Sequence, residues 1–245
     1  MRIEGKANSP LFVLSCFRQG FKLLVSSELR RYLMIPLLVN LVLYGGAFAL
    51  SYYYIEQLIN EFIPAWLHWL NWILWPVIFI CFSVAVYFSF TVLANILASP
   101  FYGKLAAKTA KILTGETTEV ADAPMAKAML AELDRAGYLA LRFGPSLLLF
   151  VIPGVNLLAP VIWGVLGAWG MALEFFAYPL ENRGILFGGQ KQLAKKTRLG
   201  SLSFGAITLL GLTLPLLNIL MPPWSVIAAT VYWHRLNLED CPAQQ

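Results

Sequence analysis

Charge is what this chain has least of. Asp, Glu, Lys and Arg make up 13% of its 245 residues, about half the roughly 25% usual for soluble domains, while hydrophobic residues make up 59%. A water-soluble fold has too little interior to hide that much apolar side chain, so the composition reads as an integral membrane protein. No polar stretch is long enough to form a soluble domain of its own, and the chain reads as one membrane domain over residues 1–245. The net charge of +5 is not gathered as a nucleic-acid footprint, and no nucleic acid is expected as a partner.

Positive charge is missing altogether from residues 32–103. The 18 Lys and Arg fall in four blocks: residues 1–31, 104–142, 183–198 and Arg235. Lys and Arg mark cytoplasmic segments. All four blocks, and with them both termini, are therefore expected inside, and the loop holding Glu56 and Glu61 outside. Cysteine is scarce too. Cys16, Cys81 and Cys241 offer neither a disulfide framework nor metal-ligand spacing.

Catalytic signatures are equally absent. His68 stands among tryptophans and His234 beside Arg235, and there is no H-E-x-x-H, no acidic metal pair, no glycine-flanked serine elbow and no Walker-type phosphate loop. No enzyme, cofactor or metal is expected. Arg30-Arg31 ahead of an apolar run imitates a twin-arginine signal. The run continues to Ile55, longer than a signal segment, and the chain downstream of it is also membrane-seeking.

What is present is a series of apolar runs with distinct punctuation. Ser9-Pro10 is a helix start, N-cap then N1 proline. Leu11, Leu14, Phe17, Phe21 and Leu24 come next at helical spacing with Arg18 and Lys22 opposite, an amphipathic helix for the cytoplasmic interface. The basic turn closes this segment at residue 31. Residues 32–55 supply 24 uncharged positions, enough for one tilted crossing. Residues 62–113 divide into a Trp-rich interfacial part, with Trp66, Trp69, Trp72 and Trp75 as an aromatic belt, and a second long helix from about Pro76 to Ala98. Pro100 and Gly103 mark its end or a kink, with Lys104, Lys108 and Lys111 on a resumed helix. Residues 114–142 read as a polar cytoplasmic linker and an amphipathic helix from Met125 to Arg142.

Two further apolar stretches, 143–173 and 199–234, carry the same phrase. Pro153-Gly-Val-Asn156-Leu-Leu-Ala-Pro160 and Pro215-Leu-Leu-Asn218-Ile-Leu-Met-Pro222 both read P-x-x-N-x-x-x-P. The first splits its stretch into legs of about ten and thirteen residues. The second, with Pro222-Pro223, gives legs of about sixteen and eleven. At about 1.5 Å per residue none spans the ~30 Å hydrocarbon core, and basic sequence flanks both stretches. The expected fold is an all-α integral membrane protein with two long transmembrane helices, two re-entrant (hemi-penetrating) helical hairpins and amphipathic cytoplasmic helices.

Non-helical backbone at membrane depth survives only where protein or water surrounds it, and interrupted apolar segments in corresponding positions point to a transport path. Asn156 and Asn218, at the breaks, and Asn40 and Asn95, one in each long span, are the candidate pore-lining residues, together with Glu174 and Asn182. Helix capping or interhelical hydrogen bonding would account for the asparagines without a ligand. Glu174 would equally pair with an arginine or sit in interfacial water. Gly164, Gly167 and Gly170 read as close-packing positions. Ser26-Ser27-Glu28-Leu29-Arg30-Arg31 places two cations in the first turn of a helix, against its dipole. An anion there would be met by free amides and arginine forks; the plain alternative is an anchor to lipid phosphate.

In these residues the chain resembles the CysZ family of bacterial inner-membrane sulfate transporters. The likeness runs through Gly20-Phe-Lys-Leu, Leu29-Arg30-Arg31 with Pro36-Leu-Leu-Val-Asn40, Ala94-Asn95 with Pro100-Phe101 and Gly103, Ile152-Pro153-Gly154 with Ala159-Pro160, Tyr178-Pro179 with Asn182, and Pro215-Leu-Leu-Asn218 with Met221-Pro222. The resemblance implies the same helical architecture, sulfate import for cysteine biosynthesis, and a sulfate site at the short turn before the first long helix. That turn maps onto Glu28, Leu29, Arg30 and Arg31, with Ser27 beside it. Glu28 stands where the family has glycine, bringing a carboxylate and a less permissive backbone next to the anion. By the charge topology the turn faces the cytoplasm, the product side of uptake. Three readings stay open: a deeper site, a regulatory site, or the opposite orientation. The partners expected are sulfate, with sulfite as a regulator or competitor, membrane lipids, and further copies of the chain, because half-depth hairpins in one protomer do not enclose a pore. The alternative of a different class is a membrane scaffold or assembly protein with a basic face for lipid or protein.

Overall fold

The computed structural model describes residues 7–30, 71–115, 125–152 and 154–236, with nine single positions between 34 and 57. Every regular element among these is helical. Contacts gather the chain into two compact units, Met1–Leu33 with Tyr102–Gln245, and Met34–Phe101.

In the smaller unit, Met34, Leu38, Val42, Tyr53 and Tyr54 are helical and exposed. Helix α2, Asn71–Thr114, has 44 residues, about 66 Å at 1.5 Å per residue. It runs through Pro76 and Pro100 without a break. The expected boundary at Pro76 between an interfacial Trp-rich part and a separate helix is thus replaced by one helix that already includes Trp72 and Trp75. Trp75 stacks on Phe79 one turn along, ring centres 5.3 Å apart. Trp66 and Trp69 lie outside the described residues.

The larger unit is built from α1 (Pro10–Leu24), the C-terminal part of α2, α3 (Met125–Ser146), α4 (Ala159–Glu181), α5 (Phe187–Lys196), α6 (Arg198–Thr213) and α7 (Pro215–Arg235). α1 starts as its sequence predicts, with Ser9 extended and Pro10 in the first turn, although the Ser9 side chain makes no capping bond. Its faces differ from expectation. Val13, Cys16, Phe17, Gly20 and Leu24 are buried, whereas Leu11, Leu14, Phe21 and Val25 are exposed. Those four share a stripe with Arg18, because the helix is apolar on two sides and α7 covers only one. An exposed apolar stripe edged by Arg18 and Lys22 is the form of an interfacial helix.

α3 and α4 form a helical hairpin. Trp163 Nε1 donates to the Ser146 carbonyl at 3.4 Å, and Trp169 Nε1 to the Tyr138 hydroxyl at 3.1 Å, so the two helices run antiparallel. Between them lie two 3-10 turns, Leu147–Phe150 and Val155–Leu157, with Gly154 at φ +84°. Pro160 then opens α4 from its first turn. α4 does not stop near Leu173 as leg counting predicts. It has 23 residues, and among the described residues it is a helix long and apolar enough to cross a membrane by length and composition. Glu174 does not end it because the carboxylate has a cation partner. It ends instead in a Schellman motif, with the Ile185 amide on the Leu180 carbonyl at 2.9 Å, the Gly184 amide on the Glu181 carbonyl at 2.8 Å, and Gly184 at φ +74°.

α6 and α7 form the second hairpin. Leu214 is extended (φ −91°, ψ 117°) and Pro215 opens α7, as expected of a residue pushed off the α region by a following proline. Pro222-Pro223 does not break the chain again. α7 runs on to Arg235, giving legs of 16 and 21 residues rather than sixteen and eleven. Packing on both sides of the pair outweighs the two lost helix bonds. Met221 is fully buried, and Trp224 Nε1 donates to the Phe17 carbonyl at 2.7 Å. The two copies of P-x-x-N-x-x-x-P are therefore not equivalent: the first is a turn, and the second is mostly helix.

The core lies where α1, α4, α6 and α7 meet. Phe176 touches Phe204, Tyr232 and Trp233 at ring-centre distances of 4.7, 5.4 and 5.0 Å. α4 and α6 approach so closely that a Cβ on Gly205 would fall within the Ala168 carbonyl. Gly164 faces open space and Gly167 meets only the Leu209 side chain, so the decisive small residue is on α6, not among the three on α4. The pairing of Ala168 and Ala172 with Gly205, and of Gly167 with Leu209, makes α4 and α6 antiparallel and brings both hairpin tips to one end. Those tips are apolar and open, with Val151 77% and Leu157 81% exposed, and Leu158, Leu210 and Leu214 also exposed. Gly205→Ala is expected to destabilise the protein by about 1–3 kcal/mol through overpacking, read as a lower midpoint of thermal unfolding in detergent. Gly164→Ala, made in parallel, should leave the midpoint unchanged.

Candidate functional site

The turn after α1 is built on one carbonyl. Ser26 accepts from the amides of Leu29 and Arg30 at 3.2 and 3.0 Å, and its own hydroxyl donates to the Leu23 carbonyl at 2.5 Å. Leu29 is fully buried in the core; Ser27, Glu28 and Arg30 are exposed. Leu29 is thus the anchor, and the residues around it face outward. The amides of Leu29 and Arg30, expected to reach an anion, are occupied by Ser26. For the Ser27 and Glu28 amides no acceptor occurs among the described residues. Arg30 is helical, so its guanidinium leaves from a first helical turn. Arg31 lies outside the described residues.

The polar residues expected along a path are dispersed. Asn156 sits in the 3-10 turn of the first hairpin, exposed beside Leu157 and Leu158. Asn218 is in the first turn of α7, also exposed, its amide donating to Leu214. No hydrogen bond joins these two among the described residues. Asn182 follows α4 and donates from Nδ2 to the Gly103 carbonyl at 2.9 Å, fastening the end of α4 to α2. Asn40 lies outside the described residues, and Asn95 is on the helical backbone of α2.

Glu174 belongs to a cluster that sequence spacing does not reveal. Arg135, on α3, is buried, and its guanidinium meets Glu132 at 2.9 Å, Glu181 at 3.1 Å and Glu174 at 3.9 Å. It also donates to Oε1 of the fully buried Gln190 at 3.0 Å. Gln190 Nε2 in turn donates to Glu181 at 3.2 Å and to the Ile185 carbonyl at 2.9 Å. The guanidinium lies 5.8 Å from the Phe187 ring centre. One cation thereby ties α3, α4 and α5 together. Three carboxylates around it leave that place negative, so it is a clasp and not an anion site. The readable signals are Glu132 and Arg135 at i, i+3, and Glu174 and Glu181 two turns apart on one face of α4. What no spacing rule reports is that they meet.

The clasp can be tested at its cation and at one of its carboxylates. Arg135→Leu leaves Glu181 and Gln190 without their partner and should cost about 3 kcal/mol, the lower end for breaking a buried pair, since the carboxylates are partly exposed; thermal unfolding of the two proteins measures it. At Glu132, burial pushes the carboxyl above its ordinary range, opposed by Arg135 and reinforced by Glu181 and Glu174. The folded state therefore holds this proton at a pH where the unfolded chain has released it. The resulting stability is full at acid pH and is lost as pH rises through the raised value. A Glu132→Gln variant should lose that part of the fall in melting temperature with pH.

Comparison with known proteins bears on the whole chain. The profile of the family described as sulfate transporter CysZ/etoposide-induced protein 2.4 matches residues 16–223. A protein of Pseudomonas syringae pv. tomato named sulfate transporter CysZ is 34% identical over 227 residues, 89% of this chain and 90% of its own length. Proteins of the same name from Salmonella typhimurium and Pectobacterium atrosepticum are 33% and 32% identical over 228 residues, covering 89% of this chain and 89% and 82% of theirs. The matched range takes in the turn at 26–31, the Arg135 clasp, the first hairpin and the second as far as Pro223, and the chain belongs to the sulfate transporter CysZ/etoposide-induced protein 2.4 family.

Proposed function

We propose that this chain carries sulfate across a bacterial inner membrane, supplying cysteine biosynthesis, with both termini in the cytoplasm. The observation that carries the reading is the similarity, over 89% of the chain, to relatives named sulfate transporter. Residues 32–55 and α2 are the two long transmembrane helices. Residues 143–173 and 199–234 are the re-entrant hairpins, with their apolar tips in lipid, and α3 as far as Arg142 is a cytoplasmic amphipathic helix. The 23-residue length of α4 is compatible with half-depth insertion because the Arg135 clasp holds Glu174 and Glu181 at the polar end. Ala159 to Leu173, 15 residues, covers about 22 Å, short of the ~30 Å core.

Sulfate is held at the turn by Arg30 and Arg31 and by the Ser27 and Glu28 amides. Leu29 keeps the turn in register with the core while Arg30 faces out. Charge-assisted bonds from guanidinium to oxyanion are the strong ones. They act here against Glu28, a carboxylate within the same turn. Asn156 and Asn218 at the hairpin ends line a path completed by other protomers of a homo-oligomer, where lipid or a second copy covers the exposed tips.

Calorimetric titration with sulfate should give saturable heat that disappears in the Arg30→Ala, Arg31→Ala double variant; unchanged affinity in that variant would remove the turn as the binding site. Proteoliposomes should take up labelled sulfate, with competition by sulfite and selenate, and protein without uptake would point to the scaffold role. Glu28→Gln should tighten sulfate binding by up to about tenfold, since a unit charge at ~6 Å in water costs roughly 0.7 kcal/mol for each of the two charges on the anion.

A further inference from the structure

Between the Arg135 clasp and the tip of the first hairpin, two cations gather on one ring. The Arg142 guanidinium, from α3, lies 3.6 Å from the centre of the Tyr138 ring. Lys191 Nζ, from α5, lies 5.3 Å from that centre and 5.5 Å from the centre of Phe187. The platform itself is fixed: Trp169 Nε1 donates to the Tyr138 hydroxyl at 3.1 Å, and Phe187 meets Tyr138 edge to face at 5.5 Å. Arg142 is exposed and spends one donor on the Tyr138 carbonyl at 3.2 Å. Lys191 is half-buried and donates no hydrogen bond among the described residues. The clasp carboxylates are paired with Arg135, and among the described residues no carboxylate is within ion-pair distance of Arg142 or Lys191. Two like charges at one ring repel each other, and the negative ring faces offset only part of that. An anion between them offsets the rest.

The place of the pair decides which anion fits. Arg142 is the last residue before the apolar stretch 143–173, and its side chain turns back along α3 onto Tyr138, one turn nearer the clasp. Beside it and toward the tip stand Leu141, Leu147 and Leu148, 77%, 55% and 64% exposed. Cations on the clasp side of an open apolar strip match a molecule with a negative head and a hydrocarbon tail, and a free oxyanion has no use for the strip. We propose that Arg142 and Lys191 form a headgroup site for an anionic phospholipid, whose phosphate oxygens accept from the guanidinium and the ammonium while an acyl chain lies along the three leucines. The inference rests on the reading that residues 143–173 enter the bilayer from the clasp end, and the site shares no residue with the turn at 27–31. A phosphate held here fixes the depth at which the first hairpin sits.

Native mass spectrometry of the full chain in uncharged detergent, titrated with phosphatidylglycerol or phosphatidylethanolamine, tests the site. The first phosphatidylglycerol should bind more tightly than phosphatidylethanolamine, whose ammonium the two cations repel. Arg142→Gln and Lys191→Gln should each weaken that first binding about fivefold, the worth of one cation at a membrane surface. Lys111→Gln, an equal loss of charge on α2, and Arg30→Ala, at the turn, should leave it unchanged. The midpoint of thermal unfolding in lipid-free detergent shows whether each variant is folded; if Arg142→Gln is not, Arg142→Lys carries the test and should keep most of the binding. Equal binding of the two lipids, equal weakening by Lys111→Gln, or no weakening by either site variant overturns the site. Sodium sulfate binding at these residues where phosphatidylglycerol does not makes the ligand a free anion and overturns the lipid. Sulfate uptake by proteoliposomes is read separately: uptake without lipid discrimination rejects this site alone, and lipid discrimination without uptake rejects the transport reading alone.

Discussion

The close approach of α4 and α6 governs the larger unit. Gly205 against the backbone at Ala168 brings two helices nearer than any side chain would allow, and the aromatic core results from that spacing. Phe176 and Phe204 come to 4.7 Å between ring centres because their helices are this close. α7 closes over them with Tyr232 and Trp233, and α1 closes over α7 with Phe17. Antiparallel packing of α4 and α6 also brings both hairpin tips to the same end. Apolar tips therefore lie at one end of this unit, and the Arg135 clasp and basic helix ends lie toward the other.

Local chain chemistry explains where the helices turn better than how far they run. Pro10, Pro160 and Pro215 each open a helix, and the residue before Pro215 is extended, as proline geometry alone dictates. Leg lengths depend on partners far away in sequence. Glu174 looks like the end of an apolar run until Arg135, 39 positions earlier, is seen beside it. Pro222-Pro223 looks like a break until Met221 and Trp224 are found fixed in the core. In both places tertiary contact overrides a local signal, and a repeated eight-residue phrase yields a turn in one copy and a helix in the other. α1 shows the same limit, since apolar spacing marks its helical period but not which of its two apolar sides a neighbour covers.

The turn at residues 26–30 was legible as a cationic helix start, and its internal division was not. Sequence treats Ser27 to Arg31 as one run of contacts. Folding separates it: Ser26 consumes two amides, Leu29 enters the core, and Ser27, Glu28 and Arg30 stay outside. A buried leucine flanked by exposed polar residues is an efficient way to hold a cation at a fixed height, because the apolar anchor resists displacement by about 1.5–3 kcal/mol of burial. The arginine can then exchange partners without carrying its backbone along.

The cation buried at the C-terminal end of α4 is met from within the chain. At Arg135 the charge is met by three carboxylates from within the chain, and the cation is spent on architecture. That solution is available because α3, α4 and α5 each bring a polar side chain to the guanidinium: Glu132 from α3, Glu174 and Glu181 from α4 and Gln190 from α5. The end of α4 is then fixed a second time, one residue further on, where Asn182 donates to the Gly103 carbonyl. Polar contacts thus secure α4 at the end away from its apolar tip, and side-chain packing with two indole hydrogen bonds secures the rest.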